Sequence, residues 1–248
     1  MSISNLFFPL LVLVLASAGM KAQTTDGVPA PLRGVHKIVC LGDSITQAGE
    51  SPGGYVWLVR KYLAALCPGM EVINSGISGH KSTDMLARFD RDVLAHKPDM
   101  VTISVGVNDV WHGFYDNHPS GDGPNGIPLP EYRKNVEAMV AKAKAANVKV
   151  VILSTTVIHE DLGNLENAKL VGYNAALRDI AHKNGALFID FQKPFQSLIK
   201  AYQSTTGARD NFLTVDGVHM NGEGNKVMAH TILSGLGISA TAQRSVRL

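Results

Sequence analysis

The sequence is short of several things, and each shortage excludes something. Two cysteines in 248 residues do not make a disulfide scaffold, and neither sits in a Cys-x-x-Cys pair. There is no His-Glu-x-x-His stretch, so the histidines and acids form no recognisable metal motif. Charge of one sign is scarce: 23 Lys and Arg against 21 Asp and Glu leave a formal net charge of +2. No basic block is dense enough to read as a phosphate-binding patch, which removes nucleic acid as an expected partner. Repeats and low-complexity tracts are also missing. The apolar run over residues 6–18 (LFFPLLVLVLASA) is too short to span a bilayer comfortably, which takes about 20 residues.

That run has the pattern of a secretory signal peptide. Small residues follow it, with Ala16-Ser17-Ala18 and Ala22 before Gln23 as cleavage sites. No Lys or Arg precedes it, and an uncleaved N-terminal anchor is the rival reading. A buried core helix is opposed by Pro9 and by the polar stretch 21–26. Residues 1–22 are therefore read as a signal peptide and 23–35, which contain Pro and Gly, as a linker. After leader removal no stable membrane span is expected, and the mature chain is placed in the periplasm or outside the cell.

From residue 36 onward, short apolar runs alternate with longer helical patterns. The runs cover 36–41, 70–74, 100–105, 148–155 and 186–191. They are rich in Val, Ile and Leu with little polar alternation, as expected for strands covered on both faces. Helical spacing appears over 55–66, 83–96, 130–146, 165–184 and from 222 to about 236. Pro68-Gly69, Pro98, Asn147 and the Asn184-Gly185 pair supply stop signals, and Asn221 suits an N-cap. The alternation predicts a parallel sheet with helices on both faces, an α/β sandwich with right-handed crossovers. Cys40 falls inside the first strand as a small buried hydrophobe and Cys67 ends a helical stretch; nothing in the sequence requires a bridge between them. One segment breaks the rhythm: 112–129 (HGFYDNHPSGDGPNGIPL) is long and rich in Gly, Pro and Asp, and loops of that kind inside a compact domain are usually functional or disordered.

In an open α/β sheet, ligands bind beyond the carboxyl ends of the strands. The first strand ends in Gly42-Asp43-Ser44, the second in Asn74-Ser75-Gly76-Ile77-Ser78-Gly79, the third in Gly106-Val107-Asn108-Asp109. Asp216-Gly217-Val218-His219 precedes the last helix. A hydroxyl is a weak nucleophile until a base takes its proton, and the base works best when a carboxylate orients it. In a tight Asp-Gly-Val-His turn the carboxylate can meet Nδ1 and leave Nε2 to face Ser44, and Gly217 lets the turn close. Developing negative charge on a substrate oxygen needs preorganised N–H donors; the backbone amides of Ser44 and Gly79 and the side-chain amide of Asn108 are the candidates. On its own, Ser44 also suits a helix N-cap. Asp43 and Asp109 read as structural partners that shape their turns, and His112, His118 and His159, in or near loops, read as solvated residues, with contact to substrate as the alternative.

These four blocks, in this order, resemble those of the SGNH (GDSL-type) hydrolases, and they cover almost the whole chain after the leader. Each is weak alone, and together they are specific. The resemblance implies a domain over 36–240 with a three-layer α/β/α, flavodoxin-like five-stranded parallel sheet in the order 2-1-3-4-5. It implies Ser44 as nucleophile, Asp216 and His219 as the other triad members, and Ser44, Gly79 and Asn108 as the oxyanion hole. It implies an esterase that uses no cofactor and no metal.

The substrate is less legible. The 112–129 loop is polar and glycine-rich, unlike the apolar lid of a lipase. Trp111, Phe114 and Tyr115 at its start suit stacking on a sugar ring, or equally anchoring of the loop to the core. Gly54-Tyr55-Val56 and Asn108-Asp109-Val110-Trp111 resemble the bacterial carbohydrate-esterase-like members. The expected partner is thus a small-molecule or polysaccharide ester, with an exported carbohydrate O-acetylesterase first. The alternatives are an exported lysophospholipase or thioesterase on the same residues, and a non-catalytic carbohydrate-binding domain.

Overall fold

The structure is a computed structural model and describes residues 27–248; the predicted signal peptide lies outside the described residues. Five parallel strands form one sheet: β1 (Lys37–Gly42), β2 (Glu71–Gly76), β3 (Met100–Ser104), β4 (Lys149–Leu153) and β5 (Leu187–Ile189). Their order is β2-β1-β3-β4-β5, the order expected. The register pairs Gly42 with Gly76, Leu41 with Ile103 and Ser104 with Leu153. The polar residues that follow β1, β2 and β3 therefore emerge along one rim, because parallel strands in register end on the same side.

Nine helices are described, α1 (Ser44–Ala48), α2 (Tyr55–Leu66), α3 (Ser82–Asp92), α4 (Val107–Trp111), α5 (Leu129–Ala145), α6 (Leu165–Asn184), α7 (Gln192–Thr206), α8 (Gly222–Gly235) and α9 (Ala240–Ser245). The long ones make two layers, with α2, α7 and α8 packed together on one face and α3, α5 and α6 on the other. Val39, Leu41, Val101, Ile103, Ile152 and Leu153 are fully covered between them, which is why the strands read as continuous apolar runs. Stop signals behave as their chemistry dictates: Asn147 adopts φ 58° just past α5, and Gly185 adopts φ 63° as the C-cap of α6. Asn221 caps α8 by accepting the Glu223 and Gly224 amides.

Four elements differ from the sequence expectation. The helix expected over 83–96 ends at Asp92, and Leu94–His96 follow as a separate 3-10 turn. Residues 192–206 form a full helix, α7, although Pro194 reads as a breaker; it sits in the first turn, where its missing N–H costs nothing. Only Phe195 and Ile199 of that helix are buried, an apolar stripe too thin for periodicity to reveal. Ala30–Leu32 make a 3-10 turn inside the segment read as linker, with Leu32 and Val35 buried, and α9 extends past residue 240. Cys40 and Cys67 are both buried and free. No helix among the described residues is long and apolar enough to cross a membrane.

Candidate active site

β1 ends at Gly42, and Asp43 turns the chain into α1. The Asp43 carboxylate accepts the Ile45 N–H at 2.9 Å, so Asp43 is the N-cap and Ser44 is the first helical residue. The cap reading of Ser44 thus passes to its neighbour. Ser44 keeps a backbone N–H of the first turn, which has no intrahelical acceptor, and a hydroxyl free to bond elsewhere. α1 is fastened to β2 by Asn74, whose side chain donates to the Thr46 carbonyl at 2.5 Å and accepts the Gly76 N–H at 2.8 Å. Gln47 accepts the Ser78 N–H at 2.8 Å.

Asp216 and His219 lie on a small hairpin between α7 and α8. Thr214 and Met220 form an isolated antiparallel bridge, and the Val215 N–H donates to the His219 carbonyl at 2.8 Å. At the tip the Asp216 carboxylate accepts the Val218 and His219 N–H groups at 2.9 and 2.8 Å. Its other oxygen lies 2.6 Å from His219 Nδ1, and His219 Nε2 lies 2.8 Å from Ser44 Oγ. Hydroxyl, imidazole and carboxylate therefore form one hydrogen-bonded chain across 175 residues of sequence. Burial opposes the charge on Asp216, but the two backbone N–H groups and the His219 ring outweigh it and hold its carboxyl below the ordinary range. An ionised Asp216 accepts from Nδ1–H, which leaves Nε2 as the ring atom able to take a proton from Ser44.

The oxyanion candidates stand on the neighbouring strand ends. Gly79 adopts φ 76° in the turn after β2, a conformation that favours glycine. Asn108, in the first turn of α4, is buried and donates one side-chain N–H to the His80 carbonyl at 3.1 Å. The amide carries a second N–H. Asp109 accepts the Ser82 N–H at 2.9 Å and so fixes the start of α3 against α4. Burial pushes the Asp43 and Asp109 carboxyls up to about 6.

Of the three aromatics, Trp111 and Tyr115 share an edge-to-face contact at 5.6 Å, and Trp111 also meets the His159 ring at 6.1 Å. Phe114 is turned into the loop, against Gly121 and under the Lys169 ammonium. Lys169 donates to the Ser120 and Gly121 carbonyls and staples the loop to α6.

Two residues here, Arg88 and Glu160, escaped the sequence reading, and a third, His159, is placed differently from it. Arg88, only 4% exposed, donates to the Gly42 carbonyl, to the Ser75 carbonyl and hydroxyl, to Asp92 and to His80 Nδ1. It ties the ends of β1 and β2 to the residue whose carbonyl holds Asn108. His159 is half-buried rather than solvated, at φ 56°, with its ring against Gly217. Glu160 is a buried carboxylate bonded to the base of the hairpin. A charged residue inside an amphipathic helix and an acid in a loop carry no local signal of such roles. Among the described residues, no group of His, Cys, Asp and Glu is placed to hold a metal.

The sheet order and layering define a three-layer α/β/α hydrolase fold. Residues 40–227 match the GDSL-like Lipase/Acylhydrolase family, and the chain belongs to that family. An acetylxylan esterase from Geobacillus stearothermophilus is 29% identical over 227 residues, 84% of this chain and 97% of that protein. An isoamyl acetate-hydrolyzing esterase from Saccharomyces cerevisiae is 27% identical over 215 residues, 80% of this chain and 84% of its own length. The crystal structure of an acetyl xylan esterase superposes with a TM-score of 0.72 at 32% identity, covering 80% of this chain and 98% of that one. Catalytic mutants of an acetylxylan esterase from Geobacillus stearothermophilus, at a serine, an aspartate and a histidine, have also been solved. The chain is a carboxylic ester hydrolase, which sets aside the non-catalytic binding domain.

Proposed function

We propose that this hydrolase is an exported carbohydrate O-acetylesterase that works through Ser44, His219 and Asp216. The observation that carries the proposal is the pair of hydrogen bonds made by His219, 2.8 Å to Ser44 Oγ and 2.6 Å to Asp216. His219 Nε2 takes the Ser44 proton as Oγ attacks the ester carbonyl, and Asp216 stabilises the imidazolium that forms. The tetrahedral oxyanion is met by the Ser44 and Gly79 backbone N–H groups and the second side-chain N–H of Asn108. The imidazolium then protonates the leaving alcohol, and an acyl-Ser44 ester remains. Water, deprotonated by His219, attacks that ester; the acid leaves and the proton returns to Ser44. No step requires a cofactor.

Support for an acetylated sugar comes from the relatives, two of which act on acetylxylan by name and one on isoamyl acetate. Tyr115 offers an apolar ring with a polar tip, which matches an amphipathic ligand, and Trp111 meets that ring edge-on. Tyr115 is 39% exposed. Export is supported by the pattern of residues 1–22 alone.

Hydrolysis of p-nitrophenyl acetate, butyrate, octanoate and palmitate tests the acyl group, and acetylated xylo-oligosaccharides test the alcohol. Acetate is expected to give the highest kcat/KM, with Ser44 labelled by a fluorophosphonate probe. A preference for octanoate or palmitate would replace the carbohydrate reading by a lysophospholipase or thioesterase. A protein that still hydrolyses esters after Ser44→Ala would sink the proposed nucleophile.

A further inference from the structure

The hairpin that carries Asp216 and His219 pairs with no strand of the sheet, and two consecutive residues after β4 grip it. At its tip, the His159 N–H donates to the Gly217 carbonyl at 2.7 Å. Gly217 adopts φ 95°, and a Cβ there would lie 2.4 Å from His159 Nδ1. At its base, the Glu160 carboxylate collects four donors from one leg. Oε1 accepts the Leu213 N–H at 2.8 Å, the Thr214 N–H at 2.9 Å and the Thr214 hydroxyl at 2.7 Å. Oε2 accepts the Phe212 N–H at 2.7 Å. Glu160 is 3% exposed, and its own carbonyl is held by Gln203 of α7 at 2.8 Å.

Four donors on one buried carboxylate are more than a loop needs to stay closed. They fix three successive residues in position and in rotation about the chain, because each N–H must point at an oxygen. The next residue, Val215, is bonded to the His219 carbonyl, and Asp216 follows it. A shift at 212–214 therefore passes directly to the carboxylate and imidazole. Reactivity falls steeply with such shifts, about 100-fold for a misplacement of about 1 Å.

We propose that Glu160 is a positioning residue for the acid–base pair, setting the hairpin so that His219 Nε2 reaches Ser44. The proposal rests on the assignment of His219 as the base. Glutamine has nearly the shape of glutamate, but it must either turn an N–H toward the Phe212 N–H or present one to the three donors on Oε1. Charge and geometry both require the carboxylate.

The test is a double-mutant cycle in the full chain on p-nitrophenyl acetate, with thermal melts on every variant. Glu160→Gln is expected to lower kcat about 10- to 100-fold with KM within about two-fold. In the His219→Ala background the same change is expected to have no further effect on residual hydrolysis, since a residue acting through His219 has nothing left to act on. Should Glu160→Gln fail to fold, Thr214→Val removes a single donor to the same carboxylate and is expected to lower kcat about 3- to 10-fold, again only when His219 is present. An equal loss with and without His219 would make the role merely structural and overturn the proposal, as would an unchanged kcat in whichever of these variants folds. A His219→Ala variant with full activity would instead overturn the underlying assignment.

Discussion

Ser44, Gly79 and Asn108 stand at the ends of three neighbouring strands, whereas Asp216 and His219 stand on a hairpin that belongs to no sheet. The strand-end half is covered at its base, with Asn108 3% and Asp43 2% exposed, while Ser44 is half-buried and Gly79 exposed. The hairpin half is open, with side-chain exposures of 33% for His219 and 49% for Asp216. Each half has its own buried charged residue. Arg88 donates outward to carbonyls, a hydroxyl and a ring nitrogen at the strand ends, while Glu160 accepts inward from the amides of the hairpin leg. The signs follow from what each segment leaves unpaired. Carbonyls at the rim have lone pairs left for Arg88, Gly42 holding the Ile77 N–H as well, and an irregular leg leaves N–H groups without ladder acceptors. One half continues a sheet, and the other is held by a few backbone bonds and the Glu160 carboxylate.

The largest expected effect joins the two halves. Ser44→Ala and His219→Ala should each lower kcat by roughly 10⁵–10⁶, and the double variant should be hardly worse than either, because the groups act as a unit. Steady-state rates of the three variants measure this; independent, multiplying losses would mean that the halves do not cooperate.

Arg88→Met strikes the strand-end half alone. It leaves the Ser75 carbonyl and hydroxyl without Arg88 and removes one donor from Gly42, while Asp92 keeps Arg91, so a loss of about 2–4 kcal/mol of stability is expected. Urea unfolding reads it, and a change below about 1 kcal/mol would show that Arg88 is replaceable as a tie.

Asn108→Ala should cost about 10²–10³ in kcat, the range for a lost oxyanion donor, with little change in KM. A KM effect without a kcat effect would move Asn108 to ground-state binding.

The smallest effect concerns pH. Burial holds the Asp43 and Asp109 carboxyls at about 6, against an ordinary 3.8. Below 3.8 both the folded and the unfolded chain carry these protons; between 3.8 and about 6 the unfolded chain releases them first. Their contribution to stability therefore falls as pH rises through that window and is level above it. Asp43→Asn keeps an oxygen for the Ile45 N–H and removes one of the two titrations. Relative to the parent it should gain about 1–2 kcal/mol in stability between pH 4 and pH 6, read by denaturant titrations at each pH. An identical slope in parent and variant would show that Asp43 does not titrate there.

Much of the fold was readable because its signals are local. Continuous apolar runs marked the five strands, Asn147 and Gly185 marked helix ends through the left-handed backbone conformation they favour, and Asn221 marked a helix start through its side-chain cap. α7 was not readable, since two buried residues and an early proline make no periodic pattern. Within the site, glycine-containing turns at strand ends drew attention to Ser44, Gly79, Asn108, Asp216 and His219. Asp43 took the cap role that Ser44 also suited, a choice between neighbours that only backbone direction decides. Phe114 looked equivalent to Trp111 and Tyr115 in the sequence, yet its ring turns into the loop.

The sequence by itself determined the alternation of strands and helices, the rim on which polar residues gather, and the chemical types placed there. These follow from hydrophobic pattern, turn chemistry and residue identity, all of which act over a few residues. Only the tertiary structure decided that His219 meets Ser44 across 175 residues, and that a buried arginine and a buried glutamate hold the two sides of that meeting. Glu160 finds its donors 52 to 54 residues away and Arg88 reaches Gly42 46 residues back, and a buried charge takes its meaning from such partners as well as from its neighbours in sequence.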